Sequence, residues 1–344
     1  MNKEVFAALD LLEKEKGIPK AYMIEKIEAA LLSAYKKAQS NNTNARIVID
    51  PVKEDVRLYQ QRTVVEEVEN PITEISLDDA QKIAKKYTLG TIVENEIKTK
   101  NLSRLAATAA KQVIIQAIRE KERSMAIEVY ESKREEIITA TVLKIDDSDG
   151  AIVLATGTSN VVLPKSEQIP GETFQVDQRV KVFISEVLKN RETQRGPLVT
   201  LSRVHPGLVK RLFELEIPEI QDGVVLIKAV AREAGSRTKI AVMSRDPDVD
   251  PVGACIGNHG MRIAGIIDEL RGEKIDIIKY SEDPAEFIAA ALAPAQVRSV
   301  TIEEERVCRV TVAPDQLSLA IGKIGQNARL AAHLTGYKID IKAE

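Results

Sequence analysis

The strongest constraint on how this chain can fold is a tract that occurs twice. Residues 255–277 read CIGNHGMRIAGIIDELRGEKIDI, and residues 319–341 read LAIGKIGQNARLAAHLTGYKIDI. Each copy holds a G-x-x-G, then apolar residues at helical spacing, a glycine shortly before the strand (Gly272, Gly336) and the tetrapeptide K-I-D-I. Gly257 and Gly260 precede Gly322 and Gly325 by 65 positions. Glycine is the poorest helix former short of proline, so two helical runs are interrupted at the same place in both copies. That is an internal repeat of domain size, and it governs the reading of the second half of the chain.

The segments around each tract alternate in the same order. VHPGLVKRLFELEI is helical, and VVLIKAVARE and TKIAVMS are strands about Gly235–Ser236. A helix from about Pro251 leads into GNHG, another runs from the loop to Leu270, and KIDIIK is a strand. The second copy reads DPAEFIAAAL, VRSVTIEE, RVCRVTVA, PDQLSLAI, GKIG, QNARLAAHLTG and KIDIK. This order matches the type II K-homology (KH) domain, whose G-x-x-G loop clamps the backbone of about four nucleotides. Glycines at both ends let the turn be tight and let a phosphate backbone approach without a Cβ in the way. The following helix starts at the loop, so its unpaired N–H groups and positive dipole end face an anion.

Lys323 lies within the second loop, and Arg262 and Arg329 follow within the next turn or so. Ile256, Ile321 and Ile324 are expected to border a groove for bases. The alternative, that the glycines only permit a sharp helix–helix crossing, stays open from the residues alone. It is closer for GNHG, because Asn258 is neutral and histidine as a residue type carries little charge at pH 7. A DNA-binding helix–turn–helix fits less well, since two β-rich segments precede each glycine pair.

The first half divides differently. Residues 1–40 read as two helices broken at Gly17–Pro19, with apolar residues at helical spacing in MIEKIEAALLSAYKKA. ARIVID and VRLYQQRTVVEEV suggest a strand pair, Ser76 opens a short helix, and TIVENEI is another strand. From Leu102 to Tyr130 the chain has no Gly or Pro, which predicts one helix of about 40 Å connecting to the next domain. Five short β-rich runs between residues 133 and 203, separated by Asp, Gly, Asn and Pro turns, then predict a small closed barrel of the OB type. Positive charge there comes from Lys165, Lys181, Lys189, Arg191, Arg195 and Arg203. Phe174 and Phe183 are sparse candidates for the aromatics on which such barrels stack bases, and Phe183 suits the core of VKVFISEV at least as well.

The chain carries 49 Lys+Arg against 52 Asp+Glu, a net charge of −3, so no strong polycationic footprint supports nucleic-acid binding. Any RNA is expected to be held by local geometry. Two cysteines without C-x-x-C spacing and three scattered histidines argue against a disulfide framework or a zinc site. No apolar run approaches a membrane span, no phosphate-binding G-x-x-x-x-G-K-[ST] loop is present, and no catalytic constellation stands out. The expectation is a cytoplasmic protein that is not an enzyme and needs no cofactor or metal.

GACIGNHGMRI, ELRGEKIDII, ALAPAQV, QLSLAIGKIGQNARLAAHLTGYKIDI, LPKSEQIPGE, LSR and LFELEIPEIQDG together resemble the NusA family of bacterial transcription termination/antitermination factors. The resemblance covers essentially the whole chain. It implies a multidomain α+β fold: an α/β N-terminal domain with a long connector helix, an S1 (OB-type) β-barrel and two tandem type II KH domains. The boundaries expected are 1–125, 133–203, 204–281 and 282–344. It further implies partners in RNA polymerase, nascent single-stranded RNA and other elongation or antitermination factors, with the chain a monomer. Carried over by position, the RNA contacts are Gly257, Asn258, His259, Gly260 and Arg262, then Gly322, Lys323, Ile324, Gly325, Gln326, Asn327 and Arg329. The barrel is expected to add a weak backbone surface from Lys165, Lys181, Lys189, Arg191 and Arg203. Asn258 and His259 stand where the family leads one to expect a loop arginine, and Tyr337 where it leads one to expect tryptophan. The acidic repeat modules of some relatives are absent from these 344 residues, so regulation by such a tail is not expected. An RNA-processing or ribosome-associated S1/KH protein is the alternative reading.

Overall fold

The structure, a computed structural model, describes residues 3–38, 44–98, 102–188, 198–303 and 306–344. It divides into two units, Met1–Met125 and Ala126–Glu344. In the first, helices α1 (Lys3–Lys16) and α2 (Lys20–Ala38) are separated at Gly17, which adopts positive φ. Strand β1 (Ala45–Asp50) pairs antiparallel with β2 (Asp55–Val65). A three-residue strand that periodicity did not reveal, β3 (Glu74–Ser76), lies parallel to the end of β2. Ser76 then caps α3 (Leu77–Ile83), its Oγ accepting from the Asp79 N–H at 3.2 Å. Strand β4 (Ile92–Glu96) pairs antiparallel with β2. Phe6, Leu9, Met23, Ile27 and Leu31 from the helices bury against Ile47, Ile49 and Leu58 of the sheet and Ala106 and Ala110 of α4 (Leu102–Ser132).

In the second unit, Ala126 and Tyr130 of α4 belong to the core of a five-stranded sheet. The Tyr130 hydroxyl lies 2.6 Å from Thr156 Oγ1 and 2.8 Å from Ser159 Oγ, which satisfies its buried polar end. The strands are β5 (Ile137–Ile145), β6 (Ile152–Ala155), β7 (Asn160–Leu163), β8 (Arg179–Val187) and β9 (Val199–Ser202), in the antiparallel order β7-β6-β5-β8-β9. β7 lies against β9, so the sheet is nearly closed into a barrel. Alternation places Val161 and Leu163 inside and Val162 outside.

Two copies of one α/β plan follow. The first is α5 (Pro206–Glu216), α6 (Pro218–Gln221), β10 (Val225–Glu233), β11 (Arg237–Ser244), α7 (Pro251–Ile256), α8 (Met261–Glu269) and β12 (Lys274–Lys279). The second is α9 (Pro284–Ala291), β13 (Val297–Ile302), β14 (Val307–Val312), α10 (Leu317–Ile321), α11 (Gln326–Thr335) and β15 (Lys338–Ala343). In each sheet the first two strands are antiparallel, and the K-I-D-I strand runs parallel to the middle one. Asp-Pro starts α7 and α9: Asp250 and Asp283 accept from first-turn N–H groups, and the proline fills the first helical position, where no donor is needed.

The two copies share apolar surface. Ala231, Ala241 and Ile278 of the first sheet bury with Ile288, Leu330 and Leu334 of the second copy. Lys239 crosses the same seam, donating to Asp276 Oδ2 at 3.0 Å and to the Ala293 carbonyl at 2.8 Å. Burial holds its ammonium below the ordinary lysine range despite the Asp276 carboxylate beside it. Cys255 and Cys308 are buried in the two copies, and desolvation pushes their thiols up to about 12 and about 11. Among the described residues no helix is long and apolar enough to cross a membrane.

Candidate nucleic-acid interface

The two loops have one backbone. Gly257 and Gly322 lie at φ/ψ of 73/176° and 75/175°, a region open essentially to glycine alone. His259 and Ile324, at φ 52° and 53°, are left-handed, as are Gly260 and Gly325. A β-branched residue in that region is a true outlier, and the Ile324 side chain is nonetheless 84% exposed. Gly260 and Gly325 are the N-caps of α8 and α11, and no side chain caps either helix. Space around the glycines differs. A Cβ on Gly257 would come within 2.7 Å of Arg262 Cγ, and one on Gly322 within 2.9 Å of the Asn327 amide nitrogen. At Gly325 nothing lies within 4 Å of that position, so the open side of the loop is beside the second glycine.

These contacts correct two of the sequence expectations. Asn327 is buried, and its Nδ2 donates to the carbonyls of Ala320 (3.0 Å) and Leu292 (2.9 Å). It ties off the end of α10 instead of facing a nucleic acid. Arg262 holds the equivalent position and plays the same part, with its Nη1 donating to the Ala254 carbonyl of α7 at 2.7 Å and to Glu219 Oε2 at 2.8 Å. Each side chain tucks under the first glycine and fastens the helix before the loop to the helix after it. A polar cleft of about 370 Å³ opens here, lined by Glu219, Gly257, Asn258, Met261 and Arg262 among others.

The first turn of α11 is also engaged. Gln326 Nε2 donates to Glu233 Oε2 at 2.8 Å and to Ser236 Oγ at 2.7 Å, and Arg329 Nε donates to Glu233 Oε1 at 2.7 Å. The Arg329 hydrogen bond holds the Glu233 carboxyl below the ordinary carboxylate range, against a smaller opposing effect of burial. Both residues expected to reach toward RNA therefore reach toward the β10–β11 turn of the first copy. Lys323, Ile324, Asn258 and His259 remain at the loop tips, all four exposed.

Comparison with known proteins agrees with this plan. The NusA N-terminal domain matches residues 4–124, the NusA-like first KH domain 203–280 and the NusA-like second KH domain 284–344. Over 345 residues the chain is 48% identical to the transcription termination/antitermination protein NusA of Bacillus subtilis (strain 168), covering 100% of this chain and 92% of that one. The chain belongs to the NusA family. Its NusA relative in Thermus thermophilus is 40% identical over 350 residues (98% of this chain, 89% of the relative). That in Mycobacterium tuberculosis strain H37Rv is 42% identical over 346 residues (98% and 92%).

In this NusA-family chain the barrel offers less than its composition suggests. Arg203 is buried, and all five of its N–H groups are used. Nε and Nη2 donate to the two Glu172 oxygens (2.8 and 2.7 Å), Nη1 to the Lys181 carbonyl and Glu269 Oε1, and Nη2 also to the Glu269 carbonyl. A fully satisfied planar fork tolerates burial, so Arg203 joins the barrel to α8 and is withdrawn from any RNA surface. Phe183 is likewise buried, stacked on His205 at 4.8 Å between ring centres and pressed against Gly207. Lys181 lies 3.8 Å from Glu269, while Lys165 is exposed. Lys189, Arg191 and Arg195 lie outside the described residues. The five-donor role of Arg203 left no signal in the sequence, because its partners are 31 and 66 positions away.

Proposed function

We propose that this chain acts during transcript elongation, with residues 1–125 binding RNA polymerase. Residues 133–203 form the S1 module, and the KH domains at 204–281 and 282–344 hold nascent single-stranded RNA. The complex so formed modulates pausing, intrinsic termination and antitermination, alongside other elongation and antitermination factors. The chain works as a cytoplasmic monomer and performs no chemistry itself.

The observation that carries this reading is the duplicated loop: the same glycine-dependent backbone twice, each time at the start of a helix that no side chain caps. The positive dipole end of a helix suits a phosphate, and the open space at Gly325 admits one. A near-neutral charge balance is workable because a chain tethered to polymerase meets the emerging transcript at high effective concentration.

The test is the full chain carrying Lys323→Asp and Gly325→Asp. Both positions face open surroundings, whereas a side chain at Gly322 would strike Asn327. Affinity for a single-stranded RNA is expected to fall at least about tenfold at fixed salt, with retention on RNA polymerase unchanged. Unaltered RNA affinity would remove the second loop from the reading.

A further inference from the structure

The contact between Glu233 and α11 does more than join two domains. Arg329, held at Nε by the Glu233 carboxylate (2.7 Å), extends Nη1 to the carbonyl of Ile324 at 3.3 Å. Ile324 is the β-branched loop residue in the left-handed region, the conformation that costs most to maintain. A guanidinium fixed on one side by a carboxylate and touching that carbonyl on the other stabilises the strained peptide. The first loop has no such brace: the residue 65 positions before Arg329 is Ala264.

We propose that Glu233 and Arg329 form a positioning pair by which the first KH domain keeps the loop of the second in its RNA-receptive shape. Arg329 is then not a phosphate contact, and Lys323 is the loop's cation for the RNA backbone. The apolar seam and Lys239 already hold the two domains together, so the pair acts on the loop and not on domain association. This inference rests on the proposed RNA-binding function.

The electrostatics make the test sharp. Glu233 is an anion close to the proposed RNA path, so simple charge removal should tighten RNA binding. A brace predicts the opposite. In the full chain, Glu233→Gln and Arg329→Gln are each expected to weaken binding of single-stranded RNA about three- to tenfold. The double variant should be no worse than either single, because the two residues act as one unit. The slope of log affinity against log salt should stay at the wild-type value in both, whereas Lys323→Ala should reduce its magnitude by about 0.7, one phosphate contact on a single strand. Arg329→Lys, which keeps a cationic donor beside the Glu233 carboxylate, should retain part of the affinity, and unchanged circular dichroism in all the variants separates the pair from an effect of misfolding. Tighter binding by Glu233→Gln, or a shallower salt slope in Arg329→Gln, would overturn the pair and return Arg329 to the phosphate. Failure of the wild-type chain to bind any RNA would instead overturn the functional reading, and the inference with it.

Discussion

In the first loop the tip residue is His259, and the side chain five positions past the first glycine is Arg262. In the second the same places hold Ile324 and Asn327. Backbone angles at the first, third and fourth loop positions nevertheless agree closely between the copies. Arg262 and Asn327 share almost no chemistry beyond an N–H donor, yet both spend it on carbonyls at the end of the preceding helix. What the fold requires at that position is a donor of the right reach. Identity at the tip is free to differ, so the two loops can share a shape and still treat RNA differently.

That comparison can be broken most readily at the glycines. Gly257→Ala and Gly322→Ala put a Cβ into a glycine-only region and against a neighbour, and each is expected to cost about 2–4 kcal/mol. Gly260→Ala and Gly325→Ala meet only the left-handed penalty, about 1 kcal/mol. Chemical denaturation of the four variants would settle it, and equal losses at the first and fourth positions would refute the account. Next in size is the donor. Asn327→Ala strands buried carbonyls at about 1–3 kcal/mol, while Arg262→Ala, at a half-exposed ion pair, should cost about 1 kcal/mol or less. The reverse order would show that the ion pair with Glu219, and not the carbonyl, is what matters in the first copy.

The smallest effect is one of pH. Arg329 lowers the Glu233 carboxyl in the folded chain, so the carboxylate's contribution is present above the unfolded value, about 4.3, and is lost as pH falls through and below that value. Wild type should exceed Glu233→Gln in stability at pH 7 by under about 1 kcal/mol. The gap should close as pH falls below the ordinary glutamate value and through the lowered value of the folded chain. A gap that persists unchanged in acid would mean the carboxylate's charge contributes nothing.

Most of the architecture was legible because it is written locally. Gly17–Pro19, the Asp-Pro starts of α7 and α9, the Ser76 cap and the duplicated K-I-D-I strands all act within a few residues of themselves. The glycine loops were legible for the same reason. What the residues hid is long-range. Glu233 meets Arg329 from 96 positions away, and Arg203 meets Glu172 and Glu269 from 31 and 66. Arginine on a sequence looks like a cation offered to a phosphate, and only the fold shows whether an internal carboxylate has taken it. Strand β3, three residues long, is too short for any alternation to register.

Both native thiols are sequestered in the interiors of the KH domains and held as neutral SH well above neutral pH. A maleimide would therefore find little to modify on the unaltered chain. Installing one cysteine in place of Asn258 or Lys323 would give a fluorophore a single fast-reacting address, letting each loop report separately on whether added RNA reaches it.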